Sequence, residues 1–194
     1  MGRIGDWINR QRHNRGYGVQ SPSAFFFVTQ VLKERLPYYA YPAIDKAAQK
    51  GNHRSAHYRR LFRIANHLQP KNIIVAGDGT EAALCALSAA KPSAATHTVG
   101  DAAGLATLLQ TPGHDTLLYI GKGCDTTQLL EAAIAHATPR SAIIVDRPHS
   151  TPQRAACWAQ AIKNSATIVT YDLHSAGLLL FDNEKQKQNF TLLM

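Results

Sequence analysis

The residues with the greatest chemical capacity in this chain stand at the ends of short apolar runs. The first group is Gly77-Asp78-Gly79-Thr80-Glu81-Ala82, a GxGxxA turn that follows the run Asn72 to Ala76 and opens an alanine-rich segment from Glu81 to Ala90. In a nucleotide-binding domain such glycines permit a tight turn and close approach of a ligand, and the helix start offers free backbone amides. The same turn serves many α/β folds simply to reverse direction, so a bound nucleotide and a plain reversal both remain open. Asp78 and Glu81 suit a helix dipole but repel a pyrophosphate, which disfavours NAD. A ligand with an ammonium and a sulfonium is tolerated there, with Asp78 receiving the ammonium; the alternative is that both acids face water.

The second group lies further along. Ser141 to Val145 is followed by Asp146-Arg147-Pro148-His149, and Asp115 to Ile120 by Lys122 and Asp125. These are strand C-termini, where open α/β sheets bind ligands. Asp146 and His149 are the candidate catalytic residues, with His149 a general base near neutral pH. The structural alternatives are a helix cap for Asp125, a turn or an Arg147 pair for Asp146, and an exposed loop for His149. One Asp and one His beside an Arg make a poor hard-cation site, so no metal is expected. Cys85, Cys124 and Cys157 stand singly, without CxxC or zinc spacing, and read as core residues of a reducing compartment. His53 and His57, four apart, lack a third ligand, and His67 stands apart from both.

The elements that must position these residues follow from periodicity. Ser21-Pro22 is a helix-start signal, and the pattern predicts helices over 24–35, 43–50 and 55–68, with an aromatic linker from Pro37 to Pro42. From Pro70 the pattern alternates: strands at 72–76, 95–99, 116–120 and 142–145, and helices at 81–90, 126–137 and 152–163. Continuous apolar strands separated by helices imply a parallel sheet covered on both faces. Thr167 to Tyr171 and Gly177 to Phe181, joined through His174-Ser175, suggest a terminal antiparallel pair. At 194 residues and 45% hydrophobic, the chain forms one structural unit: a basic helical cap over 1–69 and a Rossmann-like domain over 70–194.

Charge is unevenly spread. The net of +8 arises from residues 1–63, where twelve Lys and Arg face only Asp6, Glu34 and Asp45; residues 64–194 are net −1. Such a half is either a solvated face or a surface for nucleic acid or an acidic protein, carried by Arg3, Arg10, Arg12, Arg15, Arg54, Arg59, Arg60 and Arg63. No run reaches the length of a membrane-spanning helix and no signal-peptide core follows the N-terminal arginines, so a cytoplasmic location without a membrane partner is expected.

The order strand, glycine turn, helix, strand, then Asp115 to Gly121, Ser141 to Asp146 and a terminal antiparallel pair, resembles the class I S-adenosylmethionine-dependent methyltransferases. Nearly the whole chain is similar to methyltransferase-like proteins of Bacteroidetes. Their "HG-x-HSP" start matches Tyr17 to Pro22, their "PYYAY" segment Pro37 to Tyr41, and their "DLF-x-x-G" ending Asp172 to Gly177. The resemblance implies S-adenosylmethionine as cofactor, with Gly77, Asp78, Gly79 and Asp101 around it and Asp146 and His149 nearest a methyl acceptor. The departures imply a weakened or lost activity. Gly100 stands where the family has its ribose-binding acid, with Asp101 one residue later; Gly121 replaces an Asp after the next strand; Arg147 replaces the second of two paired acids. Only residues 101–114 separate the second strand from Asp115, enough for one crossover, so strand three and its helix are expected to be missing. The competing expectation is a non-catalytic interaction module that binds through its basic half.

Overall fold

A computed structural model describes residues 21–51, 54–110 and 115–192. The apolar runs form β1 (Asn72–Ala76), β2 (Ala95–Val99), β3 (Thr116–Ile120), β4 (Ala142–Asp146), β5 (Val169–Asp172), β6 (Ala176–Leu180) and β7 (Gln188–Thr191). They assemble one sheet in the order β2-β1-β3-β4-β6-β5-β7. Strands β2, β1, β3 and β4 are parallel, β6 runs antiparallel to both β4 and β5, and β7 returns parallel to β5.

Both sheet faces are apolar, which is why the central strands read as unbroken hydrophobic runs. Ile73, Val75, Leu117, Tyr119 and Ile144 face one helical layer. It comprises α1 (Pro22–Phe26) with its π-helical continuation Phe27–Leu32, α2 (Tyr41–Lys50), α3 (Ser55–Leu68) and α4 (Glu81–Ala90). Ile74, Leu118, Ile143, Val145 and Leu179 face the other, formed by α5 (Ala102–Leu109), α6 (Thr126–Ala135) and α7 (Pro152–Lys163). The N-terminal helices thus share one continuous core with the sheet.

Helix α5 alone carries the chain from β2 back towards β3 among the described residues. Strand β2 is consequently the sheet edge, with Ala95, Thr96 and Thr98 exposed. Among the described residues no further strand pairs with β2, in keeping with the expected lack of a third strand.

Several elements depart from the sequence expectation: α6 ends at Ala135 rather than 137, β4 extends to Asp146, and the terminal pair spans Val169–Asp172 and Ala176–Leu180 rather than 167–171 and 177–181. The first helix stops at Leu32 rather than Arg35, because the Arg63 guanidinium takes the carbonyls of Val31 and Leu32, both at 2.8 Å, and so satisfies the helix end. Tyr41 and Pro42 belong to α2 rather than to a linker, proline being tolerated in a first turn where its missing donor costs nothing. Strand β7 went unpredicted: Gln188 and Asn189 are polar, and the strand is held by its pairing with β5 and by burial of Phe190, with Leu192 buried just beyond it.

Strand β6 passes close over α7. A Cβ on Gly177 would lie 2.5–2.8 Å from three ring carbons of the buried Trp158. Gly177→Ala should destabilise the fold by about 1–3 kcal/mol through overpacking. Chemical denaturation checks this, and wild-type stability in the variant would contradict the contact.

Candidate functional site

The glycine turn lies where β1 meets β3, the point at which the strand order reverses and an open α/β sheet offers its crevice. Here that crevice is bridged by backbone. Gly121 donates to the Ala76 carbonyl and Asp78 donates to the Lys122 carbonyl, both at 2.8 Å. Gly77 adopts φ +102 with its Cα directly against that Lys122 carbonyl, leaving no room for a Cβ. The Asp78 carboxylate packs on the Cα of Gly123, itself at φ +72. Gly79, at φ +61, faces open space. Asp101 is the N-cap of α5, its Oδ1 accepting from the Gly104 amide at 2.8 Å. Asp125 caps α6 in the same way, accepting from Thr127 and Gln128.

The other strand ends are open. A cleft of about 490 Å³ lies between the end of β4, the β5–β6 turn and α3, and it takes in Asp146 and His149. Asp146 is buried, with Nε2 of His57 at 3.4 Å from its Oδ1. His149 Nε2 meets Asp172 Oδ2 at 2.6 Å, while Asp172 Oδ1 accepts from the His174 amide at 2.9 Å. The two rings of His149 and His174 are near parallel, 5.9 Å apart. Arg147, at φ 41, and His174, at φ 65, face the cleft from left-handed backbone that side chains other than glycine rarely adopt. Beneath, Arg60 Nη1 donates to Ser175 Oγ at 3.1 Å, and burial, then Arg63, pulls the Arg60 guanidinium down to about 10, still cationic at neutral pH. Burial first and the Asp146 charge second push the Tyr58 phenol up, so it remains protonated. Among the described residues no three His, Cys, Asp or Glu side chains are grouped as metal ligands.

No protein-family profile and no curated protein sequence matches this chain. Solved structures do. A methyltransferase from Geobacter sulfurreducens superposes with TM-score 0.54 at 14% identity, covering 85% of this chain and 99% of that one. The SAH-bound methyltransferase PaMTH1 of Podospora anserina gives 0.54 at 9% identity, covering 84% and 96%. MycE methyltransferase of the mycinamycin biosynthetic pathway, in complex with Mg and SAH, gives 0.52 at 13% identity over 82% of this chain, which spans only 52% of MycE. The chain has the class I methyltransferase fold.

Within a methyltransferase fold, S-adenosylmethionine would need a gap above the glycine turn, an acid for the ribose and a wall for the adenine. The gap is filled by the Lys122 carbonyl and by Asp78 against Gly123. Asp101 is engaged in capping α5, and α5 alone follows β2 where a third strand and its helix would build the wall.

The site's composition was only partly predictable. Asp146 and His149 come together in one cleft, whereas Gly77, Asp78 and Gly79 lie at another strand end and Asp101 beyond it. His57, Asp172 and His174 were missed as site residues, although Asp172 and Asp146 both end strands that flank β6. Of the eight N-terminal arginines, Arg3, Arg10, Arg12 and Arg15 lie outside the described residues. Arg59 pairs with Asp45 and stacks over Tyr41, and Arg63 binds Val31, Leu32 and Tyr41. No helix among the described residues is long and apolar enough to cross a membrane. The capping geometry predicts that Asp101→Ala lowers stability by about 1 kcal/mol. Thermal unfolding of the variant beside wild type measures this; equal stability would remove the cap from the account.

Proposed function

We propose that this is a methyltransferase-fold protein in which S-adenosylmethionine binding is lost or very weak, and that its working site is the strand-end cleft holding Asp146 and His149. The observation that carries the reading is the closed crevice: the Lys122 carbonyl accepts from the Asp78 amide across the mouth of the glycine turn. The displaced ribose acid alone removes a charge-assisted hydrogen bond of roughly 1.5–3 kcal/mol. Calorimetric titration with S-adenosylmethionine and S-adenosylhomocysteine is expected to find no affinity tighter than about millimolar, a binding free energy of about 4 kcal/mol. Micromolar binding by the wild type, abolished in Asp101→Ala, would overturn the reading and make the protein a candidate methyltransferase.

The competing reading, an interaction module for nucleic acid or an acidic protein, draws on the basic N-terminal half. Arg59, Arg60 and Arg63 are each engaged by partners within the protein, Asp45, Ser175 and the Val31 and Leu32 carbonyls, which leaves less of the basic run for a polyanion. Under the leading reading, gel shifts with RNA and DNA at low salt show no complex. A complex whose affinity falls steeply with salt, as counterion release requires, would favour the module.

A further inference from the structure

The cleft that ends β4 has a second property, independent of the glycine turn. Its two carboxylates are turned inward, Asp146 being 8% and Asp172 6% exposed, and each meets an imidazole. The groups left exposed at the cleft are the Arg54 and Arg147 guanidinium groups and the His149 and His174 rings. Arg60 adds a third guanidinium just behind Ser175, and its Nε is buried without a hydrogen-bond partner. The Arg54, Arg147 and Arg60 guanidinium groups are set against the inward Asp146 and Asp172 and against Glu81, whose charge reaches the Tyr58 phenol, but it is the Arg54 and Arg147 guanidinium groups and not the carboxylates that are exposed at the cleft. The accessible wall is therefore made of cations and donors around a space of small-molecule size.

Backbone strain points to the same place. Three non-glycine residues among those described have positive φ. Gln69 is the C-cap of α3, an ordinary site for that conformation. The other two, Arg147 and His174, both line this cleft and are linked through Ser175, whose carbonyl accepts from the Arg147 amide at 3.1 Å and whose hydroxyl accepts from Arg60. Strained left-handed residues persist where surrounding structure enforces them, and they cluster at ligand sites.

We infer that this cleft is an oxyanion site that takes a phosphate group, free or carried on a small molecule, between the guanidinium groups of Arg54 and Arg147, with the His149 and His174 rings beside it. The inference rests on the reading that the strand-end cleft is the working site. Guanidinium forks match the geometry of phosphate oxygens, and an imidazole whose Nε2 faces a carboxylate, as in His149, offers its second nitrogen as a donor when protonated. A metal-bridged anion is not required, since the cations are the protein's own.

The test uses the full chain and side-chain imidazole NMR spectra at constant ionic strength and pH, titrated with inorganic phosphate and separately with glycerol 3-phosphate. Saturable binding with a dissociation constant of about a millimolar is expected. The shifts should be confined to His57, His149 and His174, leaving His97 and His136 unmoved. Tighter binding of glycerol 3-phosphate assigns the group to an organic ligand; equal or weaker binding assigns it to the free ion. Arg147→Asn, which keeps a residue tolerant of the left-handed backbone, and Arg54→Gln on the exposed rim should each weaken binding about tenfold. Arg140→Gln, remote from the cleft, should change nothing. Uniform drift of all imidazoles, lack of saturation, or wild-type affinity in both Arg147→Asn and Arg54→Gln would overturn the inference. A negative phosphate titration beside an equally negative S-adenosylmethionine titration would reject the ligand class alone and leave the proposed function standing.

Discussion

Two backbone hydrogen bonds tie the ends of β1 and β3 together, and the shape of the glycine turn depends on them. Gly121 to Ala76 and Asp78 to Lys122 continue the sheet's pairing past its last regular residues, at the point where a parallel sheet ordinarily opens. The bonds require Gly77 to approach the Lys122 carbonyl without a Cβ, and Gly123 to lie bare under the Asp78 carboxylate. Glycine in this turn thus serves protein-to-protein approach, whereas in a nucleotide site the same residue type serves approach to a phosphate. The motif is shared and its physical use is different.

Polar groups gather further along the same sheet edge, at the ends of β4 and β5. The antiparallel return of β6 between β4 and β5 sets Asp146 opposite Ala176 and Asp172 opposite Gly177, so the two strand-ending acids flank one turn. A purely parallel sheet would put a crossover of a dozen residues or more between such strands. Here the tight turn through His174 and Ser175 brings His174 up to His149, and its left-handed residue is stabilised by the Asp172 side chain accepting from the His174 amide. The fold's one departure from parallel pairing next to β4 therefore concentrates its polar groups.

How much of this is legible in the sequence depends on the range of the interactions involved. The boundaries of α3, α4, α7 and the first three strands follow from local periodicity and flanking turns, and they agree residue for residue. That only one helix and no strand is described between β2 and β3 is also readable, because chain length limits that segment directly. Strand β7 was hidden because Gln188 and Asn189 are polar, and only pairing with β5 makes the segment extended. The early end of the first helix was hidden as well, since Arg63 stands 31 residues from the Leu32 carbonyl it caps. Likewise the His57–Asp146 and His149–Asp172 contacts join residues far apart in sequence, and no spacing rule encodes them.

The basic half of the chain illustrates the same limit from the side of electrostatics. By composition, Arg59, Arg60 and Arg63 form a charge run on one helix, the usual mark of a solvated or polyanion-binding face. In the fold each has a separate structural task on α3. Arg63 ties the π-helical turn to α3 through two carbonyls and the Tyr41 hydroxyl. Arg59 fastens α2 through Asp45, the paired guanidinium holding that carboxyl below its usual range. Arg60 reaches across to Ser175, more than a hundred residues later in the chain, and is the member of the run whose charge arrives beside the cleft. Its neighbours Arg59 and Arg63 are each engaged by partners in the N-terminal layer. A helix that looks like a polyanion surface in sequence is, in three dimensions, the clamp of the N-terminal layer and the source of one cation behind a small-molecule cleft.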